Sequence, residues 1–395
     1  MKSDTLKLNR HIPIQVDLSD YVDRHKVILA LGAELKANYC IIHKQKAYVY
    51  LGFNDLKNPK FFDQYKQSIL SQIKKFKLKP QIITHDLNPL FLSSRFAEEL
   101  KNSLFKTSRI LPVQHHFAHI AGSFVALGLS KKNKVIGIAC DGTGLGNDQK
   151  VWGCEFISYD FKQAKRLGHL DYIPLPGGDK AVFEPWRVAV ALLYMSYGRK
   201  LIDLPFAWIK QKKYEINILI QMIEKGINTP LASSSGRLFD GIAALIGLCM
   251  NVSFEAQAAM ALEAQAAKVI SKQDKGYGFK IKQKDSIFII DICLMIKEIV
   301  CDLGEKQSIP NIAAKFHNTF VEILTQTAIK ISKSIGLKQV VLGGGVFLNK
   351  IVSEKLNISL IKNGLSVHKP DFEFLSDVGL SLGQALLVSE DLNNK

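Results

Sequence analysis

The chain has 395 residues, 47% of them hydrophobic and 22% charged, with a formal net charge of +16. That length exceeds what one hydrophobic core usually fills, so two packed lobes are expected. No run approaches the ~18 apolar residues that span a bilayer, and the opening MKSDTLKLNRHIPIQVDLSD lacks the apolar stretch of a secretory leader; a cytoplasmic protein with no membrane attachment is expected.

The six cysteines, Cys40, Cys140, Cys154, Cys249, Cys293 and Cys301, form no C-x-x-C pair. Neither a zinc knuckle nor a dithiol redox site is therefore indicated, and buried, reduced thiols are expected. The excess charge is mostly lysine spread along the chain, as in SQIKKFKLKPQ and LSKKNK, without interleaved aromatics. Solvated surface lysines are favoured over a nucleic-acid track.

In chain order, Lys26 to His43 is an apolar run, a glycine turn and a second apolar run, which predicts a β-hairpin turning near Gly32. Lys60 to Phe76 has helical apolar spacing, PQIITHD reads as a strand, and a helix runs through Phe96 and Leu100. The strand RILPV then leads directly into VQHHFAHIAGSF, which places three of the ten histidines, His115, His116 and His119, within five positions. Lys134 to Ser158 repeats the hairpin with a richer turn, in which Gly142, Gly144 and Gly146 are expected to adopt dihedrals closed to other residues and to present backbone N–H groups. A repeat at about 110 residues predicts two related lobes. A mostly helical region follows from Pro185 to Ile270, broken inside by TPLASSSGRLFDG. Near the end, Ile312, Phe316, Phe320, Ile323, Leu324, Ile331 and Ile335 form one helical stripe stopped by Gly336. The strand KQVVL runs into GGGVFLN, a last helix follows Asp377, and only the tail EDLNNK reads as disordered.

Several of these stretches carry chemistry. On a helix, His115 and His119 are four apart and share a face, close enough for both imidazoles to hold one metal, while His116 points elsewhere. Asp141, at the end of a buried strand before Gly142, Thr143 and Gly144, can aim a carboxylate and N–H groups at a phosphate and its cation, or can be a plain Asp-Gly turn. Gly343, Gly344 and Gly345 permit close approach by a flat or phosphorylated ligand, and a helix expected from about Val346 offers its N-terminus to an anion. Gly236, Arg237 and Asp240 surround the start of an apolar helix; Asp240 suits a ribose hydroxyl or simply complements the helix dipole. Lys180 and Arg187, in LPGGDKAVFEPWR, suit an anionic substrate or a solvated turn. Asp377 reads equally as an N-cap and as a ligand.

Taken in order, VQHHFAHIAG, CDGTGLGND, LPGGDKAVFEPWR, SSGRLFDGIAALIG, AQAAMALE and LGGGVFLN closely resemble the C-terminal catalytic portion of the hydrogenase-maturation carbamoyltransferases, the HypF family, from LALGAELKANYC to SLGQALL. The resemblance implies an α/β, two-lobed actin-like ATPase (ASKHA) fold of duplicated mixed sheets flanked by helices. Its first lobe would be residues 1–130, completed by a C-terminal helix 378–395, and its second 131–377, with a helical insertion at about 160–270. It implies transfer of a carbamoyl group from carbamoyl-adenylate to the C-terminal cysteine of a HypE-type partner, towards the cyanide ligands of nickel-iron hydrogenase. By similarity, His115, His119, Asp141 and Asp377 are the metal set, for iron(II) or zinc. Gly236, Asp240, Gly344 and Asn349 resemble the nucleotide shell, with Gly142, Thr143, Gly144, Gly343 and Gly345 beside it, for carbamoyl-adenylate, ATP or AMP with or without Mg2+. Lys36, Lys180, Arg187 and Arg237 are candidates for the phosphate and carbamoyl end, and His116, Lys36 and Arg237 are the catalytic candidates.

Complete members of the family carry acylphosphatase-like, zinc-binding and YrdC-like modules before this portion. Here about 25 residues precede the first core strand, so donor activation is expected from separate YrdC-like and acylphosphatase proteins. Two stretches depart from the family pattern: Pro-x-Asn-Asp-Gly-Gly reads DFEFLSDVGLS, and Glu-Gly-Gln is Glu255-Ala256-Gln257. The rival readings are O-carbamoylation of a small molecule, a tRNA threonylcarbamoyl transferase, whose Ser-Gly-Gly-His-Thr stretch is absent from the first half, and a binding subunit without turnover.

Overall fold

In the computed structural model, residues 13–272 and 274–390 are described. The segment before Pro13 and the last five residues, on which most of the leader and tail readings fall, lie outside the described residues.

The first sheet contains β1 (Ile14–Asp17), β2 (Ile28–Ala30), β3 (Tyr39–His43), β4 (Lys46–Tyr50), β5 (Ile82–Asp86) and β6 (Arg109–Val113), in the order β1-β4-β3-β2-β5-β6. The second is built from β7 (Val135–Leu145), β8 (Val151–Tyr159), β9 (Ala164–Leu170), the short pair β10 (Ile173–Pro174) and β11 (Leu231–Ala232), β12 (Lys280–Lys284), β13 (Ile287–Asp291), β14 (Gln339–Gly343) and β15 (Ser366–His368). Its main path is β12-β13-β9-β8-β7-β14-β15. The path β4-β3-β2-β5-β6 is repeated as β9-β8-β7-β14-β15, in each case three antiparallel strands followed by two parallel ones. This duplication is the two-lobed actin-like arrangement that the resemblance implies.

Both expected hairpins are present, but the second turns later than expected. Gly142 and Thr143 lie inside β7 as a bulge, where the register shifts between Cys140 and Gly144, and the turn falls on residues 147–150. Gly32 has φ +63°, whereas Gly142, Gly144 and Gly146 stay at negative or extended φ. Two of those three glycines answer to space instead. A Cβ on Gly144 would lie 2.7 Å from the His116 ring, and one on Gly146 2.0 Å from Trp152 Nε1. A bulge of this kind re-aims the side chain beside it, here that of Asp141.

The helices Pro59–Phe76 and Leu92–Ser103 cover the outer face of the first sheet around Tyr39, Tyr65 and Phe96. The helices Pro185–Tyr197, Ser235–Leu245 and Ile309–Ile335 cover the outer face of the second around Leu192, Phe239 and Phe316. The last of these is capped by Ser308 and stopped by Gly336 at φ +72°, as its apolar stripe predicts. Between the sheets lie two helices in mutual contact: His115–Ala126 packs on β7, β8 and β14, and Leu380–Leu387 packs on β2 to β5. Their crossing is close because Ala118 and Gly122 face Gly379 and Gly383; a Cβ on Gly122 would lie 2.6 Å from the Gly379 carbonyl oxygen. Among the described residues the C-terminal helix is Leu380–Leu387, inside the expected 378–395.

Another expectation is corrected after β14. The triglycine leads into a 3-10 turn, Gly345–Leu348, and the α-helix starts only at Lys350, capped by the side chain of Asn349. The six thiols are free, but only Cys40, Cys140 and Cys154 are buried; Cys249 and Cys293 are half-buried and Cys301 is exposed. Among the described residues, no helix is long and apolar enough to cross a membrane.

Candidate active site

β6 ends at Val113, and Gln114 opens the next helix by accepting the Phe117 amide on Oε1 at 2.9 Å. That cap fixes where helical geometry begins, so His115 and His119 share a face, with ring centroids 4.9 Å apart. The β7 bulge brings Asp141 opposite them: its Oδ2 lies 3.3 Å from Nε2 of each histidine. Asp377, in the 3-10 turn Asp377–Gly379, sets Oδ1 3.7 Å from His115 Nε2 and 3.4 Å from His119 Nε2. One donor atom from each of the four side chains lies within 4.8 Å of the others. Solvent reaches this group from the carboxylate side, where Asp141 and Asp377 are 13% and 15% exposed against 4% and 0% for the histidines.

Backbone contacts hold the two carboxylates in place. Gly344, at φ +101°, packs so tightly on β7 that a Cβ would sit 2.3 Å from the Cys140 carbonyl oxygen, and the next amide, Gly345 N–H, points to Asp141 Oδ1 at 3.4 Å. Gly343 likewise lies against His119. The triglycine is therefore a close approach between protein segments. Asn38, beside the first hairpin, donates to the Asp377 carbonyl at 2.7 Å and accepts the Ser381 amide at 3.3 Å.

Burial opposes charging of both imidazoles. Hydrogen bonds to Asp141 and Asp377, and to Asp86 in the case of His115, outweigh it and raise both above the ordinary histidine value, His115 by more. The same contacts overcome burial to hold both aspartates below the usual carboxylate range. His116 behaves oppositely. Its ring is fully buried between Gln114 and Trp152, Gln114 Nε2 donates to its Nδ1 at 3.2 Å, and burial with the neighbouring His115 pushes it well below the ordinary value. It is a neutral histidine outside the four-residue group.

The remaining candidates divide. Gly236 packs on Gly142, where a Cβ would lie 2.9 Å from the Gly142 Cα. Arg237 follows, its Nη2 2.9 Å from Asp240 Oδ2, with both residues buried and Arg237 Nε left without a partner. Asp240 is thus committed to Arg237, and burial raises its carboxyl despite that guanidinium. Lys36, at φ +47°, pairs with Glu255 at 3.1 Å, and Glu255 also faces Gly142. Thr143 is exposed beside this group. Asn349 spends Oδ1 on the Val352 amide and lies 3.1 Å from His317 through Nδ2. Lys180 is exposed, and Arg187 pairs with Glu184 at 2.5 Å; among the described residues, no ion pair links either to the histidine and aspartate group.

Several supporting residues carry little signal in the sequence. Asp86 accepts from His115 Nδ1 at 2.7 Å; its only sequence signal is an aspartate closing the strand next to RILPV. Ser234 caps the helix Ser235–Leu245 and bonds the Gly142 carbonyl at 2.6 Å. Glu155, fully buried in β8, joins Arg166 at 2.6 Å and Ser233 at 2.5 Å, tying that cap to the β7–β8 hairpin.

A duplicated two-sheet fold whose central helices and bulged strand bring two imidazoles and two carboxylates together, a group that could hold a metal ion, defines a member of the actin-like class. Family comparison is specific. The HypF Kae1-like domain matches residues 23–126, and the second subdomain of the carbamoyltransferase Kae1-like domain matches residues 137–384. The chain belongs to the HypF family. It is 34% identical over 365 residues to a carbamoyltransferase HypF homolog of Cupriavidus necator, covering 91% of each chain. To the carbamoyltransferase HypF of Synechocystis it is 33% identical, over 91% of this chain and 47% of that one. A crystal structure of full-length HypF in its phosphate- and nucleotide-bound form superposes with a TM-score of 0.87 at 34% identity, over 98% of this chain and 58% of that one. The chain thus spans nearly all of one relative and about half of the other two.

Proposed function

We propose that this chain transfers a carbamoyl group from carbamoyl-adenylate to a thiol acceptor, the C-terminal cysteine of a HypE-type protein, in the maturation of nickel-iron hydrogenase. The observation that carries the reading is the convergence of His115, His119, Asp141 and Asp377, contributed by three separate parts of the chain, in a protein of the HypF family. The four donors fit a divalent cation: two imidazole nitrogens and two carboxylate oxygens suit iron(II) or zinc. His119 Nδ1 is buried without a partner and Nε2 faces the carboxylates, so the ring has a donor atom directed into the group. A metal held there supplies Lewis-acid polarisation of a carbonyl or phosphoryl oxygen.

The chain's own residues supply the rest. Arg237 lies against Gly142 and Lys36 pairs with Glu255 beside it, and both offer positive charge where the phosphate and carbamoyl group of an adenylate develop negative charge during attack. The helix N-terminus capped by Ser234 points the same way, as helix starts favour anions. The nucleotide reading rests on membership of the HypF family, of which a full-length crystal structure is nucleotide-bound, with adenine nucleotide as the bound species.

The test is direct. The purified chain is loaded with zinc or iron(II), given pre-formed carbamoyl-adenylate and a peptide ending in the acceptor cysteine, and the peptide is weighed. Gain of one carbamoyl group with release of AMP is expected. Adenylate consumed with the peptide unchanged, or no consumption at all by metal-loaded protein, overturns the acceptor or the reaction respectively.

A further inference from the structure

β5 and β6 are parallel neighbours with Asp86 opposite Val113, and the Leu87 amide donates to the Val113 carbonyl at 2.9 Å. The end of β5 therefore sits beside the first turn of the helix that begins at His115. Asp86 is fully buried there, and both of its carboxylate oxygens are engaged: Oδ1 accepts the Asn88 amide at 2.9 Å and Oδ2 faces His115 Nδ1 at 2.7 Å. Its carbonyl is fixed as well, by His85 Nδ1 at 2.7 Å. An ionised carboxylate only accepts, so Nδ1 of His115 carries the proton of this contact and the Nε2 lone pair is turned towards Asp141 and Asp377. His119 presents Nε2 to the same two aspartates, but its buried Nδ1 meets no acceptor.

We infer that Asp86 is a positioning residue: it fixes the orientation and tautomer of the His115 ring and strengthens Nε2 as a metal donor, which makes His115 and His119 unequal ligands. This rests on the metal reading above. A carboxylate behind a metal-bound imidazole orients the ring and raises its basicity, and losing such a partner typically costs about 10- to 100-fold in metal affinity. Among the described residues, Asp86 is the group at His115 Nδ1 and so the one placed to supply that function.

The experiment uses the full chain, selectively labelled with 15N-histidine and loaded with zinc, alongside zinc affinity measured by chelator competition. In the wild type, a protected Nδ1–H resonance of His115 is expected beside those of His85, His169 and His317, whose Nδ1 atoms donate to backbone carbonyls, and it is assigned by its loss in His115→Gln. Asp86→Asn keeps the shape but leaves one acceptor where two are needed; it is expected to weaken zinc binding about 10- to 100-fold and to abolish the resonance. An Asp86→Asn chain that binds zinc like the wild type, or that keeps the protected Nδ1–H, overturns the inference. Should that variant fail to fold, the wild-type spectrum decides: a zinc-loaded chain with no protected Nδ1–H on His115 overturns it. Wild type that takes up no zinc or iron overturns the metal reading itself, and is distinguished from the other outcomes by that result alone.

Discussion

Each imidazole of His115 and His119 meets the same two carboxylates, so removing either ring strips a ligand and leaves Asp141 and Asp377 facing each other with less positive charge between them. His115→Ala or His119→Ala is expected to lower metal occupancy and transfer rate together, by more than about 100-fold, since even the loss of a supporting contact costs up to that. Metal analysis of the purified variants beside the peptide assay checks this; a variant that keeps full occupancy refutes the ligand assignment. His317 gives a residue-scale prediction about pH. It is fully buried, donates from Nδ1 to the Ala313 carbonyl at 2.8 Å, and burial lowers it to about 4 from 6.5. Between those values the unfolded chain binds a proton that the folded chain refuses, so stability falls as pH drops from 6.5 and the loss saturates below about 4, at roughly 3 kcal/mol. His317→Gln should flatten that part of the denaturation profile relative to the wild type; an unchanged slope would show that His317 titrates normally when folded. The histidine pair was legible from its spacing of four residues. Asp86, 29 positions earlier, was not, because only the β5–β6 register brings it to His115.

At the level of elements, what the sequence suggested about glycines holds in place but differs in cause. Gly343 and Gly344 looked like openings for a ligand and Gly144 like a turn residue, yet each lies against another protein segment. Backbone proximity between segments distant in sequence leaves no periodic trace, so such contacts could not be read in advance. The tightest is the crossing of the helices His115–Ala126 and Leu380–Leu387, where a Cβ on Gly383 would lie 1.8 Å from the Ala118 carbonyl oxygen. These helices flank the site, one bearing both histidines and the other following Asp377 directly. Gly122→Ala or Gly383→Ala should therefore destabilise the fold by about 1–3 kcal/mol or more and weaken metal binding at the same time, as thermal melts and zinc titration would show. Loss of stability with undiminished zinc affinity would mean that the crossing does not set the ligand geometry. Ala256 makes the converse case. It stands at φ +63°, and left-handed backbone is costly for any residue with a Cβ. Ala256→Gly is expected to stabilise by up to about 1 kcal/mol, and a lower melting temperature would contradict that.

On the scale of the whole molecule, the duplicated hairpins at a spacing of about 110 residues announced the two related sheets. What no local pattern could announce is how the lobes meet across the site. One such bridge is Lys36, in the connection from β2 to β3, paired with Glu255 just before the helix Gln257–Ala266. Both side chains are about half exposed, at 51% and 47%, so the pair contributes little to stability, about 0–1 kcal/mol. Its consequence is electrostatic. Burial works against the Lys36 ammonium, but Asp377, Glu255 and Asp141 together raise it above the ordinary lysine value, so it stays charged at the mouth of the site. An anionic ligand must compete with Glu255 for that charge and is repelled by the same carboxylate. Glu255→Gln should then leave the melting temperature nearly unchanged while tightening binding of AMP or inorganic phosphate by about fivefold, the equivalent of about 1 kcal/mol. Lys36→Met should weaken the same binding, and raising the salt concentration should shrink both effects because the pair is exposed to solvent. Calorimetric titration at two ionic strengths measures all of these. Weaker AMP binding by Glu255→Gln would reverse the interpretation, making Glu255 part of the ligand's own shell instead of its competitor.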